Sequence, residues 1–145
     1  MCAIAGILSL NGRMDLGDNM VKMLKTIKHR GPDGSGIYIE GEVVTENFED
    51  VEFPRTSIAL GHNLLSIVGT EVSQPIVKNG FVLVANAEIF NYRELKKCYY
   101  DDYNTDSDCE VIISVVNSFY NGNLIDAVEK TLKELDGDYA FAIYD

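Results

Sequence analysis

A cysteine stands directly behind the initiator methionine in the opening stretch MCAIAG. Removal of Met1 would leave Cys2 with a thiol nucleophile and a free α-amino group on one carbon. Such an amine titrates near about pH 8, so part of it is neutral in a cell and can take the thiol proton, directly or through a water. A thiolate that attacks a carbonyl also needs hydrogen-bond donors aimed at the developing oxyanion. Asn86, near the end of the apolar segment FVLVANAEIF, offers a side-chain amide, and the backbone N–H of Ala87 offers a second donor. Plainer readings stand beside these: a lone cysteine is by default a small buried hydrophobe, and asparagine often ends a strand.

Positioning these groups requires strands at the right places. AIAGILSL (3–10) is short and apolar and precedes the turn Asn11-Gly12, which predicts a buried strand with Cys2 at its mouth. Met20, Met23, Leu24 and Ile27 follow helical spacing, and Gly31-Pro32 stops that helix. Further strands are expected near Ile37 to Ile39, over SIALG (57–61), over FVLVANAEIF (81–90) and over the final YAFAIYD. The acidic run from Gly41 to Pro54 predicts a solvated loop or edge hairpin. Asn91 is placed to cap a short helix through Leu95, and Ser107 with Glu110 spells a capping box ahead of Val111, Ile112, Val115 and Val116. Leu124, Ile125, Val128, Leu132 and Leu135 describe a last helix, closed by Gly137.

Bulk properties narrow the function. The 145 residues fit one domain, and 46% hydrophobic content fits a packed core. Twelve basic against 23 acidic residues give a net charge of −11, which repels a phosphate backbone and argues against nucleic acid as a partner. No apolar run approaches the roughly 18 to 20 residues of a membrane helix, and the N-terminus has no secretory pattern, so a cytoplasmic location and no membrane partner are expected. Cys2, Cys98 and Cys109 form no CxxC pair, and with only His29 and His62 beside them no metal site is expected. Because the sequence ends on a strand with no tail, the 145 residues are expected to be part of a longer protein.

Six motifs in order, MCAIAGI, HRGPDGSGIY, LSIV followed by QP, NAEIFNYREL, SDCEVI and LDGDYAFAIYD, resemble the N-terminal glutaminase domain of glutamine-hydrolysing asparagine synthetases. That family lies within the class II, or N-terminal nucleophile, glutamine amidotransferases, and the resemblance covers nearly all of residues 1–145. It implies an α+β fold, a four-layer αββα sandwich of two antiparallel sheets, with further strands beyond Asp145. It implies that Cys2 attacks the side-chain amide of glutamine, releases ammonia and forms a γ-glutamyl thioester that water hydrolyses. Asn86 and the Ala87 N–H would be the oxyanion donors, and Glu88 and Asp108 would hold the substrate α-ammonium. Arg30, in the HRGPD turn, is expected either to help order the site or to stand as a surface or strand-end cation. The ammonia would serve a synthetase domain or subunit that amidates aspartate; ATP and Mg²⁺ belong to that missing part, and no cofactor is expected in this one. A homodimer is a further expectation.

Two positions depart from the family pattern. Leu64-Leu65-Ser66-Ile67 stands where Arg-Leu-Ser-Ile is usual, so the arginine expected on the glutamine α-carboxylate is missing. Loss of such a charge-assisted bond weakens binding roughly ten- to hundred-fold. Lys78 or Arg55 are candidate substitutes, and backbone groups from Leu65 and Ile67 to Val68 remain candidate substrate contacts. Ala87 replaces the glycine of NGE, a strained choice only if that residue needs positive φ. These changes keep two rival readings open: a degenerate, non-catalytic docking or regulatory domain, and a stand-alone amidotransferase subunit of another synthase.

Overall fold

The computed structural model describes residues 2–45, 47–66 and 73–145. In chain order the elements are β1 (Ala3–Leu8), α1 (Gly17–Thr26), β2 (Gly34–Ile39), β3 (Glu42–Thr45), β4 (Ile58–Leu64), β5 (Ile76–Lys78), β6 (Phe81–Ile89), α2 (Tyr92–Cys98), α3 (Glu110–Phe119), α4 (Leu124–Glu134) and β7 (Gly137–Tyr144). The strands form two antiparallel sheets, ordered β1-β4-β2-β3 and β5-β6-β7.

Side-chain alternation along each strand assigns every residue to one face, and the buried clusters show what each face covers. Ala5, Ile7, Ile37, Ile39 and Ala59 pack under Leu16, Met20 and Leu24, the apolar stripe around α1. The opposite face of the same sheet presents Ile4, Tyr38, Ile58 and Leu60 to Val82, Val84 and Ala142 of the second sheet. The far side of that second sheet, with Phe81, Leu83, Ala85 and Ile89, lies under α3 and α4 through Val111, Ile112, Val115, Val116 and Ala127. The result is a helix–sheet–sheet–helix sandwich, the expected four-layer αββα arrangement.

Several local readings are corrected. β1 ends at Leu8 and only Ala3 in it is fully buried, because it is an edge strand. The capping box at Ser107 does not form: Ser107 Oγ accepts from the Cys109 N–H, while the Glu110 carboxylate turns to the backbone N–H groups of Asn104 and Thr105. Asn91 precedes α2 as expected, but its amide ties the α4–β7 connection, donating to Glu134 O and accepting from Asp136 N. Asn123, not singled out from the sequence, caps α4 by accepting from Asp126 N. The three residues of β5 were also missed, being too few to show a period. The acidic run does form an edge hairpin in part, β2 pairing with β3 across Glu40-Gly41.

His62 shares its strand face with Leu60, so it lies between the sheets, 1% exposed, and its Nε2 has no hydrogen-bond partner among the described residues. Burial lowers its pKa from 6.5 to about 4, against a smaller opposing effect of the Ala85 backbone. The unfolded chain therefore takes up this proton below pH 6.5 while the fold refuses it until about pH 4. Stability should fall by about 2 kcal/mol between pH 6.5 and 5, above the range in which carboxylates titrate. Urea unfolding across that window tests this, with His62→Gln expected to flatten the profile; an equal slope in the variant would assign the pH dependence to other groups.

Candidate active site

Cys2 continues the alternation of β1, so it shares the inter-sheet face with Ile4. Its half-buried sulfur meets the backbone of Leu65, one residue past the end of β4: the Leu65 N–H donates to Sγ at 3.4 Å, and Sγ lies 3.8 Å from Leu65 O. The pairing Ala3↔Asn63 brings these segments side by side. Leu65, expected to touch substrate, is thus a contact of the nucleophile itself. Ile67 and Val68 lie outside the described residues.

The Leu65-Ser66 segment is held from the HRGPD turn. Asp33 N–H donates to Leu64 O at 2.9 Å, and the Asp33 carboxylate accepts from Ser66 N at 2.7 Å. Gly31 lies so close to this strand end that a Cβ there would sit 2.4 Å from Asn63 O. Asp33 and Gly31 therefore order this strand end; Arg30, expected to help, is exposed, and its side chain forms no hydrogen bond or ion pair among the described residues. Below them, Asn63 is fully buried, donating to Leu24 O and accepting from Ser35 Oγ, which fixes β4 to α1.

On the second sheet, Asn86 and Glu88 share the face of Val82 and Val84, so both are directed to the inter-sheet side, Asn86 half-buried and Glu88 exposed. Ala87 lies in regular strand paired with Tyr139, and it is not among the residues with positive φ. Alanine is therefore unstrained where glycine was expected, and its N–H is as available as glycine's. Asp108 is neither a helical residue nor a free carboxylate: its Oδ2 accepts from Ile89 N at 2.7 Å, tying the approach to α3 onto β6. The same carboxylate also meets the Cys109 thiol.

Cys109, left as an ordinary thiol by the sequence, is close enough to interact electrostatically with Cys2. Burial, with the Asp108 carboxylate beside it, pushes the Cys109 thiol up to about 12. It stays protonated at neutral pH and does not compete as a nucleophile.

Neither candidate substitute for the missing arginine is available. Arg55 is exposed, 3.6 Å from Asp15. Lys78 is buried, its ammonium donating to Glu110 at 2.8 Å and to Asp102 O at 2.5 Å, with Asp101 at 3.2 Å. Burial disfavours both charges, but the mutual bonds outweigh it, so the Lys78 pKa is raised and that of Glu110 lowered. Leu64 itself falls on the inter-sheet face, lining a cleft of about 410 Å³ with Asp33, Ser35, His62 and Gln74. A cleft of about 430 Å³ between α1 and the 33–35 turn, with Lys25 and Lys28 on its wall, lies on the opposite side of that sheet.

A model of the glutamine amidotransferase domain matches residues 1–145. The chain belongs to the glutamine amidotransferase domain family. It is 41% identical, over its whole length, to a protein of Methanocaldococcus jannaschii named for glutamine-hydrolysing asparagine synthetase, and 31% identical to asparagine synthetase B of Escherichia coli. It is also 30% identical to a glutamine–fructose-6-phosphate aminotransferase of Bacillus spizizenii. It spans about a quarter of the length of these curated relatives (26%, 23% and 27%). The glutamine phosphoribosylpyrophosphate amidotransferase of Bacillus subtilis shares the fold, with a TM-score of 0.78 over 99% of this chain and 35% of that one at 23% identity. This amidotransferase domain is thus an enzyme domain related to the glutamine-hydrolysing asparagine synthetases.

The Lys78–Glu110 pair has a consequence for the domain's stability. Lys78→Met should cost about 3 kcal/mol or more, since it leaves the Glu110 carboxylate buried without its counter-ion. The double variant Lys78→Met/Glu110→Gln should recover part of that loss in urea unfolding. A single-variant loss below ~1 kcal/mol would show that water reaches Glu110.

Proposed function

We propose that this domain hydrolyses glutamine to glutamate and ammonia through Cys2, and that the ammonia serves asparagine synthesis from aspartate in a longer protein of which residues 1–145 are the N-terminal part. With Met1 removed, the α-amino group takes the thiol proton and Sγ attacks the side-chain amide carbon of glutamine. The tetrahedral oxyanion is received by Asn86 and by the Ala87 N–H. The C–N bond then breaks, the proton held by the α-amine leaves with the nitrogen as ammonia, and a γ-glutamyl thioester remains on Cys2. Water, deprotonated by the same amine, adds to the thioester; the C–S bond breaks, and glutamate and the thiol are restored.

The observation that carries this reading is the setting of Cys2: a half-buried thiol one residue ahead of β1, clasped by the Leu65 backbone and facing the sheet that carries Asn86. The Asp108 carboxylate, together with exposed Glu88, is suited to the substrate α-ammonium. The asparagine branch is favoured because identity is higher to the proteins named for asparagine synthetase than to the sugar-phosphate aminotransferase. ATP and Mg²⁺ would be used by the synthetase part that receives the ammonia, with no cofactor needed for the hydrolysis. A cytoplasmic homodimer is the assembly proposed; among the described residues no helix is long and apolar enough to cross a membrane.

One observation favours a second reading. With Leu64 on the cleft wall and Lys78 and Arg55 committed elsewhere, the α-carboxylate of glutamine lacks a cation among the candidates, as a docking domain that has lost activity would show.

Glutamate release by the complete protein, with Met1 removal confirmed by intact mass, separates the two. Release that vanishes in Cys2→Ala is expected, and none at saturating glutamine would favour the docking role. Leu64→Arg should lower the glutamine KM roughly ten- to hundred-fold with little change in kcat, the mark of restored uniform binding. An unchanged KM would place the carboxylate elsewhere.

A further inference from the structure

The outer edge of β6 is capped by side chains where a strand would ordinarily continue. In an antiparallel ladder, alternate residues turn both their N–H and C=O to the same neighbour. In β6 the bonds of Ala85 show that the odd-numbered residues face the β5 side. β5 pairs Lys78 with Phe81 and Ile76 with Leu83, and ends there. At Ala85 the partner is the primary amide of Gln74: Nε2 donates to Ala85 O at 3.1 Å, and Oε1 accepts from Ala85 N at 2.7 Å. At Ile89 the N–H goes to Asp108 Oδ2 at 2.7 Å. Ala87, between these two caps, has no partner on that edge among the described residues.

Gln74 is itself held firmly. It is 5% exposed, and its carbonyl oxygen lies where a Cβ on Gly36 would come within 2.0 Å of it. Gly36 faces the inter-sheet space, opposite His62. A backbone strand arriving at Ala85 would carry a further residue along the ladder to pair with Ala87. A side-chain amide supplies the same two bonds and then stops.

We propose that Gln74 is a positioning residue for the oxyanion donor: by replacing a ladder strand at Ala85, it holds β6 in line while leaving the Ala87 N–H unpaired. This rests on the glutaminase reading above. Gln74 touches neither the nucleophile nor the reacting carbon; it acts through the strand.

The test is glutamine turnover by the complete protein, Met1 removed, in wild type and Gln74→Met, alongside residue-resolved amide hydrogen exchange. In the wild type the Ala87 amide should exchange fast while those of Ala85 and Ile89 are protected. Gln74→Met should deprotect Ala85 and lower kcat about ten- to hundred-fold with KM within about twofold, since the lost alignment is felt at the oxyanion and not in substrate binding. Should Gln74→Met not fold, Gln74→Asn, whose shorter amide cannot span to both groups, takes its place with the same expectation. A protected Ala87 amide in the wild type, an unchanged kcat, or a loss confined to KM would overturn the inference. Wild-type protein without turnover would overturn the glutaminase reading instead, and the exchange pattern would still decide whether Gln74 leaves Ala87 unpaired.

Discussion

The site depends on two sheets lying face to face with their alternation in phase. Cys2 belongs to one sheet and Asn86 to the other, and each reaches the shared interior only because Ile4, Leu60, Val82 and Val84 press the sheets together. A shift of one residue in either strand would turn the thiol toward α1 or the amide toward α3. The apolar contact between sheets is therefore the constraint on which any chemistry at Cys2 rests. Close packing at three points fixes its register: Gly61 beneath Met20, Gly31 against the end of β4, and Gly36 against the Gln74 carbonyl.

Polar groups then do what the apolar layers cannot, which is to hold loop backbone in place. Asp33 binds the Leu65-Ser66 segment to the turn after α1, and Asp108 binds the approach to α3 onto β6. Glu110, in its buried pair with Lys78, gathers the N–H groups of Asn104 and Thr105 and so fixes the loop ahead of Asp108. Three carboxylates of a strongly acidic chain are spent in this way on orphan backbone donors. Each also determines where a neighbouring group can stand: Leu65 against Cys2, the Asp108 carboxylate at the end of β6, and the buried Cys109 thiol that follows it.

Much of this was legible in advance and for a physical reason. β6 and β4 declared themselves through runs of β-branched and apolar residues, and the helices through their period. β5 was missed because three residues show no period, and the Ser107–Glu110 box was misread because a nearby buried lysine competes for the same carboxylate. For Arg30 an ordering role and a surface cation were both open, and it stands exposed while Asp33 and Gly31 of the same motif hold the strand end; the motif marked the place, and only contact distances show which of its residues bears on β4. Lys78 and Arg55 were offered as stand-ins for a missing arginine because sequence separation says nothing about which carboxylate lies within reach.

Local chemistry is written in the chain order itself. An N-terminal cysteine, an asparagine at the end of a strong strand and the alternation that gives each strand two faces are properties of neighbours along the sequence, and they settled the nucleophile's candidacy, the fold class and the family. What the tertiary structure alone decided are relations between residues far apart: Leu65 against Cys2 across 63 positions, the Gln74 amide standing in for a strand at Ala85, Cys109 kept protonated by burial, and Ala87 in relaxed strand geometry. Those relations depend on register, burial and distance, which arise only when the two sheets close on each other.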